Sequence, residues 1–388
     1  MITRAGLALC TLAILILAGF CAVISRPESK ADNNWNQKAA AAYLDKQENR
    51  WMTWPKAARD QGTFCVSCHT AMPYALARPV LDSAMGEKGP ARDERELLDN
   101  VMKRIRLWKD IKPYYGGVQA SRSRGTEAVL NAVVLASYDA RNGKLSEDTR
   151  QAFEEMWSLQ EAGGPESGAW QWINFNNQPW EAPDSAYYGA SLAAVAVGLA
   201  PENYSSTPEI QENLTLLRGY LNREAASQTP LNRVMLLWAA TELPGTLDQK
   251  QQEAIVKEVI SRQRADGGWC LSTLVGNWKR PDGTPLVTKS DGVATGLIAY
   301  VLQRAGVAPD DVHLKDGLSW LARNQTWWGG HWDGYSLNAR HHNLLSPIAD
   351  FMDDAATAFA VLALTQSEAK TRTTVSSARE TASKALHR

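Results

Sequence analysis

The stretch Arg262-Gln263-Arg264-Ala265-Asp266-Gly267-Gly268-Trp269 decides how the rest of the chain is read. It closes an amphipathic segment, 249–264, and a polar link then leads to 291–306, which is small and nearly apolar all round. Such a succession predicts a partly exposed helix paired with an enclosed one. The pairing recurs six times. The amphipathic members span about 36–50, 94–110, 149–160, 210–224, 249–264 and 312–325, with stripes such as Leu97, Leu98, Val101, Met102, Ile105 and Trp108. The apolar members span about 70–83, 125–141, 184–200, 230–242, 291–306 and 353–366. Alternating exposed and enclosed helices predict an all-α fold of two concentric rings, an α6/α6 toroid. A linear solenoid would need polar capping helices at both ends, and the sequence has none. Links from a first to a second helix are long, and the returns are short apart from 84–93. The long links therefore share one face, at the N-termini of the inner helices, where binding residues on a rigid scaffold usually lie.

The pattern of Gln263, Gly267 and Trp269 is echoed by Gln325 with Gly330-x-Trp332 and by Trp157-x-x-Gln160 with Gly168-x-Trp170. A weaker echo is Tyr43-Leu44 with Gln47 and Trp51. These runs resemble the QW repeats of the terpenoid cyclase and prenyltransferase superfamily, which includes the squalene-hopene cyclases. Ser290-Asp291-Gly292-Val293-Ala294-Thr295-Gly296 looks like the start of an inner helix in that superfamily. The resemblance covers most of 36–366 and implies an α/α toroid in which the repeated Gln and Trp are structural. It also implies an acid: Asp350-x-x-Asp353-Asp354 resembles the D-x-D-D proton donor of squalene-hopene cyclases with one residue inserted. On that basis Asp353 and Asp354, with Asp291, are candidate catalytic carboxylates of an isoprenoid cyclase or isomerase. The residues by themselves allow a second reading. Asp184, Asp291, Asp353 and Asp354 each begin an inner helix, where Asp caps free N–H groups and complements the helix dipole.

A second motif, Cys65-Val66-Ser67-Cys68-His69, has the C-x-x-C-H spacing of c-type haem attachment. Each thiol can form a thioether to a haem vinyl group, and the adjacent histidine can bind the iron from one face. Met72 is too close to His69 to reach the other face. Met85, His341, His342 or no protein group at all remain for that position. His331, His341 and His342 share the loop before the last inner helix. Zinc is an alternative cofactor, needing further ligands such as these histidines. A disulfide or redox pair is another, against which stand the following His and the lack of a thioredoxin-like βαβ pattern. Cys270 is expected to be a single buried thiol.

Composition and leader place the motif. The 388 residues carry a formal charge of −1, which gives no basis for nucleic-acid binding. Fifteen Trp against six Phe point to an aromatic-lined cavity or a repeated Trp motif. Residues 1–25 contain an apolar run flanked by Arg4 and Arg26 and read as a signal peptide or a membrane anchor, with 26–34 as a linker. Either implies export to the periplasm, the second with attachment to the inner membrane, and c-type haem is attached in such a compartment. Residues 35–366 form the toroid and 367–388 read as a mobile polar tail. Trp170, Trp172, Asn174, Trp180 and Glu181, with Trp327 and Trp328, are expected to line a ligand cavity. The leading expectation is a redox or electron-transfer role, with an apolar or aromatic small molecule in the cavity and a redox partner protein. The alternatives are the cyclase or isomerase and a non-enzymatic binding module.

Overall fold

The computed structural model describes residues 35–340, 342–343 and 345–386, with side chains through Lys370. The apolar segment within 1–25, the linker 26–34 and His341 lie outside the described residues. Among the described residues the chain forms pairs of helices: α1 (Gln37–Met52) and α2 (Ala71–Met85), α3 (Arg92–Arg106) and α4 (Ala120–Asn142), α5 (Glu147–Ser158) and α6 (Ser185–Leu199). They are followed by α7 (Gln211–Glu224) and α8 (Pro230–Glu242), α9 (Gln249–Ile260) and α10 (Gly292–Arg304), α11 (Val312–Asn324) and α12 (Phe351–Leu386). The even-numbered helices pack in order, α2 on α4 and so on to α10 on α12, and α12 returns to α2. This closes an inner ring, with the odd-numbered helices outside it. The chain is an α6/α6 toroid, as the alternation of patterns predicts.

Enclosure explains the composition of the inner ring. α6, Ser-Ala-Tyr-Tyr-Gly-Ala-Ser-Leu-Ala-Ala-Val-Ala-Val-Gly-Leu, is buried along nearly its whole length because it has neighbours on every side. Large rings fill part of the interior: Trp238 packs edge-on against Tyr300 at 5.6 Å and Phe359 at 6.5 Å. Each large apolar side chain buried in this way contributes about 1.5–3 kcal/mol.

The repeated Gln, Gly and Trp tie the outer helices to one another. Gln263 Nε2 donates to Gly267 O and to His313 O in the first turn of α11, both at 2.8 Å. Gln160 does the same to Gly168 O and Asn213 O on α7, and Gln325 to Gly330 O and to Asn36 O, which caps α1. The indole N–H groups of Trp170, Trp269 and Trp332 donate to Met156, Val259 and Leu321. Each acceptor lies four residues before the glutamine of its repeat. The three glycines have φ of +100°, +92° and +73°, and a Cβ on any of them would strike the backbone of the next outer helix. The glutamines therefore lie at or just past the helix ends, and α9 stops at Ile260 instead of 264.

The first repeat departs from this scheme. Gln47 turns inward and donates to Asp354, and Trp51 Nε1 donates to Cys65 O at 2.8 Å. Two further features were absent from the sequence reading. A small antiparallel hairpin, β1 (Ala58–Arg59) with β2 (Thr63–Phe64), interrupts the first long link. The stretch after 366, read as a mobile tail, continues α12 to Leu386. Polar side chains at the start of that stretch find partners on the ring: Glu368 accepts from Trp35 Nε1 and Gln37 Nε2, and Lys370 Nζ donates to Gln303 O.

A test of the repeat geometry compares Gly330→Ala with Gly89→Ala, whose φ is also positive but whose Cβ would meet nothing within 4 Å. Both incur the left-handed cost of about 1–2 kcal/mol. Only Gly330→Ala adds overpacking of about 1–3 kcal/mol, so chemical denaturation should show it to be the more destabilised of the two.

Candidate functional site

Cys65-Val66-Ser67-Cys68-His69 is held rigidly by its surroundings. The hairpin brings Cys65 N to Ala57 O at 3.0 Å, and Asn100 on α3 pairs with both the N–H and the C=O of Phe64. Tyr114 Oη accepts from Val66 N. The Ser67 hydroxyl accepts from Thr70 N and Ala71 N, capping the start of α2. Beneath the hairpin, the fully buried Arg104 reaches Glu127 at 2.5 Å, Thr63 Oγ1 at 2.6 Å and the Lys112 carbonyl, and its guanidinium lies 4.5 Å from the Tyr114 ring. A buried ion pair with this many hydrogen bonds fixes α3, the hairpin and α4 together, since each partner would be costly to leave alone.

Both thiols and the His69 ring border one cavity of about 410 Å³ at the inner-helix N-termini. Its aromatic wall is formed by Trp51, Trp54, Tyr114, Tyr115, Trp180 and Phe351. Phe351 stacks on His69 with centroids 3.5 Å apart, and Trp51 meets the same imidazole edge-on at 5.0 Å. The cavity is also bordered by the polar groups Asn177, Gln178, Glu181, Ser336, Asn338 and His342. The loops that supply them are laced together, with Gln178 N donating to Asn338 Oδ1 at 2.9 Å and Asn338 Nδ2 to Gln178 O at 2.6 Å. Cys65 and Cys68 are free thiols, as is the buried Cys270. Burial pushes Cys65 up to about 12 and lowers His69 to about 3, so the thiol stays protonated and the imidazole neutral. Glu181 is raised to about 7, again mainly by burial, with Asn177 opposing.

His69 Nδ1 lies 2.8 Å from Thr70 Oγ1, and that hydroxyl donates to Asp354 Oδ2 at 2.7 Å. Asp354 Oδ1 also accepts from Tyr43 Oη and Gln47 Nε2, each at 3.0 Å. Burial raises Asp354 to about 7 and Asp353 to about 8. Neither borders the main cavity: Asp354 is behind Phe351 and Thr70, and Asp353 accepts from Gly334 N at 2.7 Å. Asp291 caps α10 by accepting from Ala294 N and also accepts from Leu271 N, with burial holding it at about 7. Asp291 is thus engaged in capping α10 and in tying the preceding loop through Leu271.

Other expected residues are dispersed. Trp180, Glu181 and His342 border the main cavity, His342 with Nε2 3.1 Å from Ser336 Oγ. Trp170, Trp172 and Asn174 border a separate cleft with Glu161 and Glu166. The structure takes Trp170 and Trp172 out of the main cavity because their indole N–H groups are engaged by Met156 O and Trp180 O. Trp327 and Trp328 are likewise outside it, 94% and 70% exposed. His331 stacks on Tyr43 at 4.8 Å and pairs with Thr326, closing its own loop. Met85 ends α2, about 20 Å of helix from His69 at 1.5 Å per residue. The sequence reading missed the Trp51-x-x-Trp54 and Tyr114-Tyr115 pairs, visible as aromatics inside long links, and Phe351 and Thr70, which carried no signal. Among the described residues, no three or more His, Cys, Asp or Glu side chains are gathered to hold a metal ion.

No protein-family model matches the chain, and no curated protein is similar to it in sequence. Among solved structures it is similar to a glycosyl hydrolase family 88 protein from Bacteroides vulgatus, at 11% identity and a TM-score of 0.50, covering 85% of this chain and 98% of that one. It also overlaps the type II terpene cyclase MstE from Scytonema, at 13% identity, 85% and 98% coverage and a TM-score of 0.41. A variant of that cyclase in complex with geranylgeranyl dihydroxybenzoate gives the same identity and coverage and a TM-score of 0.39. At 11% identity the likeness to the hydrolase is one of fold and does not reach chemistry. Fold and site together define an α/α toroid whose loop face encloses an aromatic cavity bordered by Cys-x-x-Cys-His.

The raised Glu181 carboxyl gives a signed pH effect. A folded-state value above the unfolded one favours folding at low pH, and that contribution disappears as pH rises through about 7. Glu181→Gln mimics the protonated acid, so its Tm should gain on the wild type between pH 5 and pH 9. A constant difference across that range would contradict the burial of this carboxyl.

Proposed function

We propose that the protein carries one haem, attached covalently through Cys65 and Cys68 with His69 as iron ligand, and that it serves a redox or electron-transfer role outside the cytoplasm. The observation that supports this best is the convergence of both free thiols and one neutral imidazole on a single aromatic-walled cavity. The donor set has the chemistry required: two thiols able to form thioethers, and a histidine next to the second of them. Such a haem supplies one-electron chemistry when bound. The residues of this chain would hold and enclose it, with Phe351 and Trp51 packed on the His69 ring. His342 borders the same cavity and could serve as a further ligand to the iron. The remaining aromatic wall suits a flat apolar or aromatic molecule, and a redox partner protein would approach the loop face.

Zinc is less well supported, because a closed site needs four ligands and among the described residues no three His, Cys, Asp or Glu side chains are gathered. The cyclase reading requires an acid directed into the cavity, whereas Asp353 and Asp354 lie outside its lining. The leader in residues 1–25 supports export to the periplasm with retention at the inner membrane. Among the described residues, no helix is long and apolar enough to cross a membrane.

The test is an intact mass and a visible spectrum of protein exported by cells that mature c-type cytochromes. One haem per chain and a Soret band are expected, both lost in Cys65→Ala/Cys68→Ala. An unmodified mass in the wild type would end the proposal.

A further inference from the structure

We propose that Asp354 is a positioning residue for His69, acting through Thr70: the buried carboxylate–hydroxyl–imidazole chain places the ring proton on Nδ1 and leaves the Nε2 lone pair available to a ligand. The reasoning is a count of protons. A threonine hydroxyl has one, and here it is directed at Asp354 Oδ2, 2.7 Å away. Thr70 Oγ1 can then only accept from His69 Nδ1, at 2.8 Å, so that nitrogen must be the protonated one. Three donors, Thr70 Oγ1, Tyr43 Oη and Gln47 Nε2, are directed at Asp354, and at the pH 8 of the experiment below it is a carboxylate with no proton to give, which forces this direction. Histidines that ligate metals are oriented in this way, by a bond from the nitrogen that does not face the metal.

The same contacts explain the divergence of the first repeat. Gln160, Gln263 and Gln325 tie neighbouring outer helices, whereas Gln47 is spent on Asp354. The carboxylate that the cyclase resemblance nominates as a proton donor is directed away from the main cavity and supports the back of the imidazole. Its use as support for an iron ligand rests on the haem reading, but the hydrogen-bond chain does not.

The experiment uses the full chain, labelled with [15N]histidine and isolated at pH 8 from cells that do not attach haem. In the wild type the His69 nitrogens should report protonated Nδ1 and unprotonated Nε2. Asp354→Asn can donate to Thr70, which then donates to Nδ1, and the two ring nitrogens should exchange their shifts. Thr70→Ser should keep the wild-type pattern and Thr70→Val should lose it, a comparison that stands even where Asp354→Asn does not fold. Protonated Nε2 in the wild type, or a pattern unmoved by Thr70→Val, would overturn the proposal. A missing haem in the mass measurement would remove the redox reading and leave this result intact.

Discussion

The side-chain amide of Gln263, donating at once to Gly267 O and to His313 O, is the kind of contact on which the fold depends. A ring of helices has no free ends at which packing errors can be absorbed, so the angle between successive hairpins must be fixed locally. The amide does this by satisfying carbonyls of two adjacent units. The partner indole anchors the loop to the preceding helix, and the glycine lets the backbones touch. Hydrophobic burial supplies most of the free energy, but it is non-directional and cannot by itself set the rotation between repeats.

The first repeat is released from that duty, and the candidate site lies where it is released. Gln47 and Trp51, which occupy the repeat positions of α1, contact Asp354 and Cys65 O in place of a neighbouring outer helix. The structural residues of one repeat have become the supporting shell of the His69 site. Repetition thus allows a site to be built without a new fold: the ties at Gln160, Gln263 and Gln325 hold outer helices together while the first repeat is altered.

The architecture was legible because it is periodic. Alternating helix patterns and the Gln, Gly and Trp positions recur, so each repeat supports the reading of the others. The cavity was legible only where covalent sequence fixes it. Cys65, Cys68 and His69 follow one another before a helix, and their common placement follows from adjacency. Trp180, Glu181 and His342 also reach the cavity, whereas Trp170 and Trp172 do not, although all are aromatic or polar residues of long links. Residue type shows that an indole will be buried. It does not show which side of a loop it faces, because that depends on non-local contacts such as Gln178 with Asn338. Phe351 was invisible for the same reason: it stacks on a ring 282 positions earlier in the chain (351 − 69).

That separation has a consequence for the order of assembly. α2 comes from the first hairpin and α12 from the last, and they meet at the seam where the ring shuts. The bond from Thr70 to Asp354 spans 284 residues. Contacts at such separation bear the largest loop-closure entropy and form late. A chain synthesised or translocated from its N-terminus presents Cys65, Cys68 and His69 early, while the lid over them waits for residue 354. During that interval the motif is open to whatever must reach it, and completion of the fold then seals it.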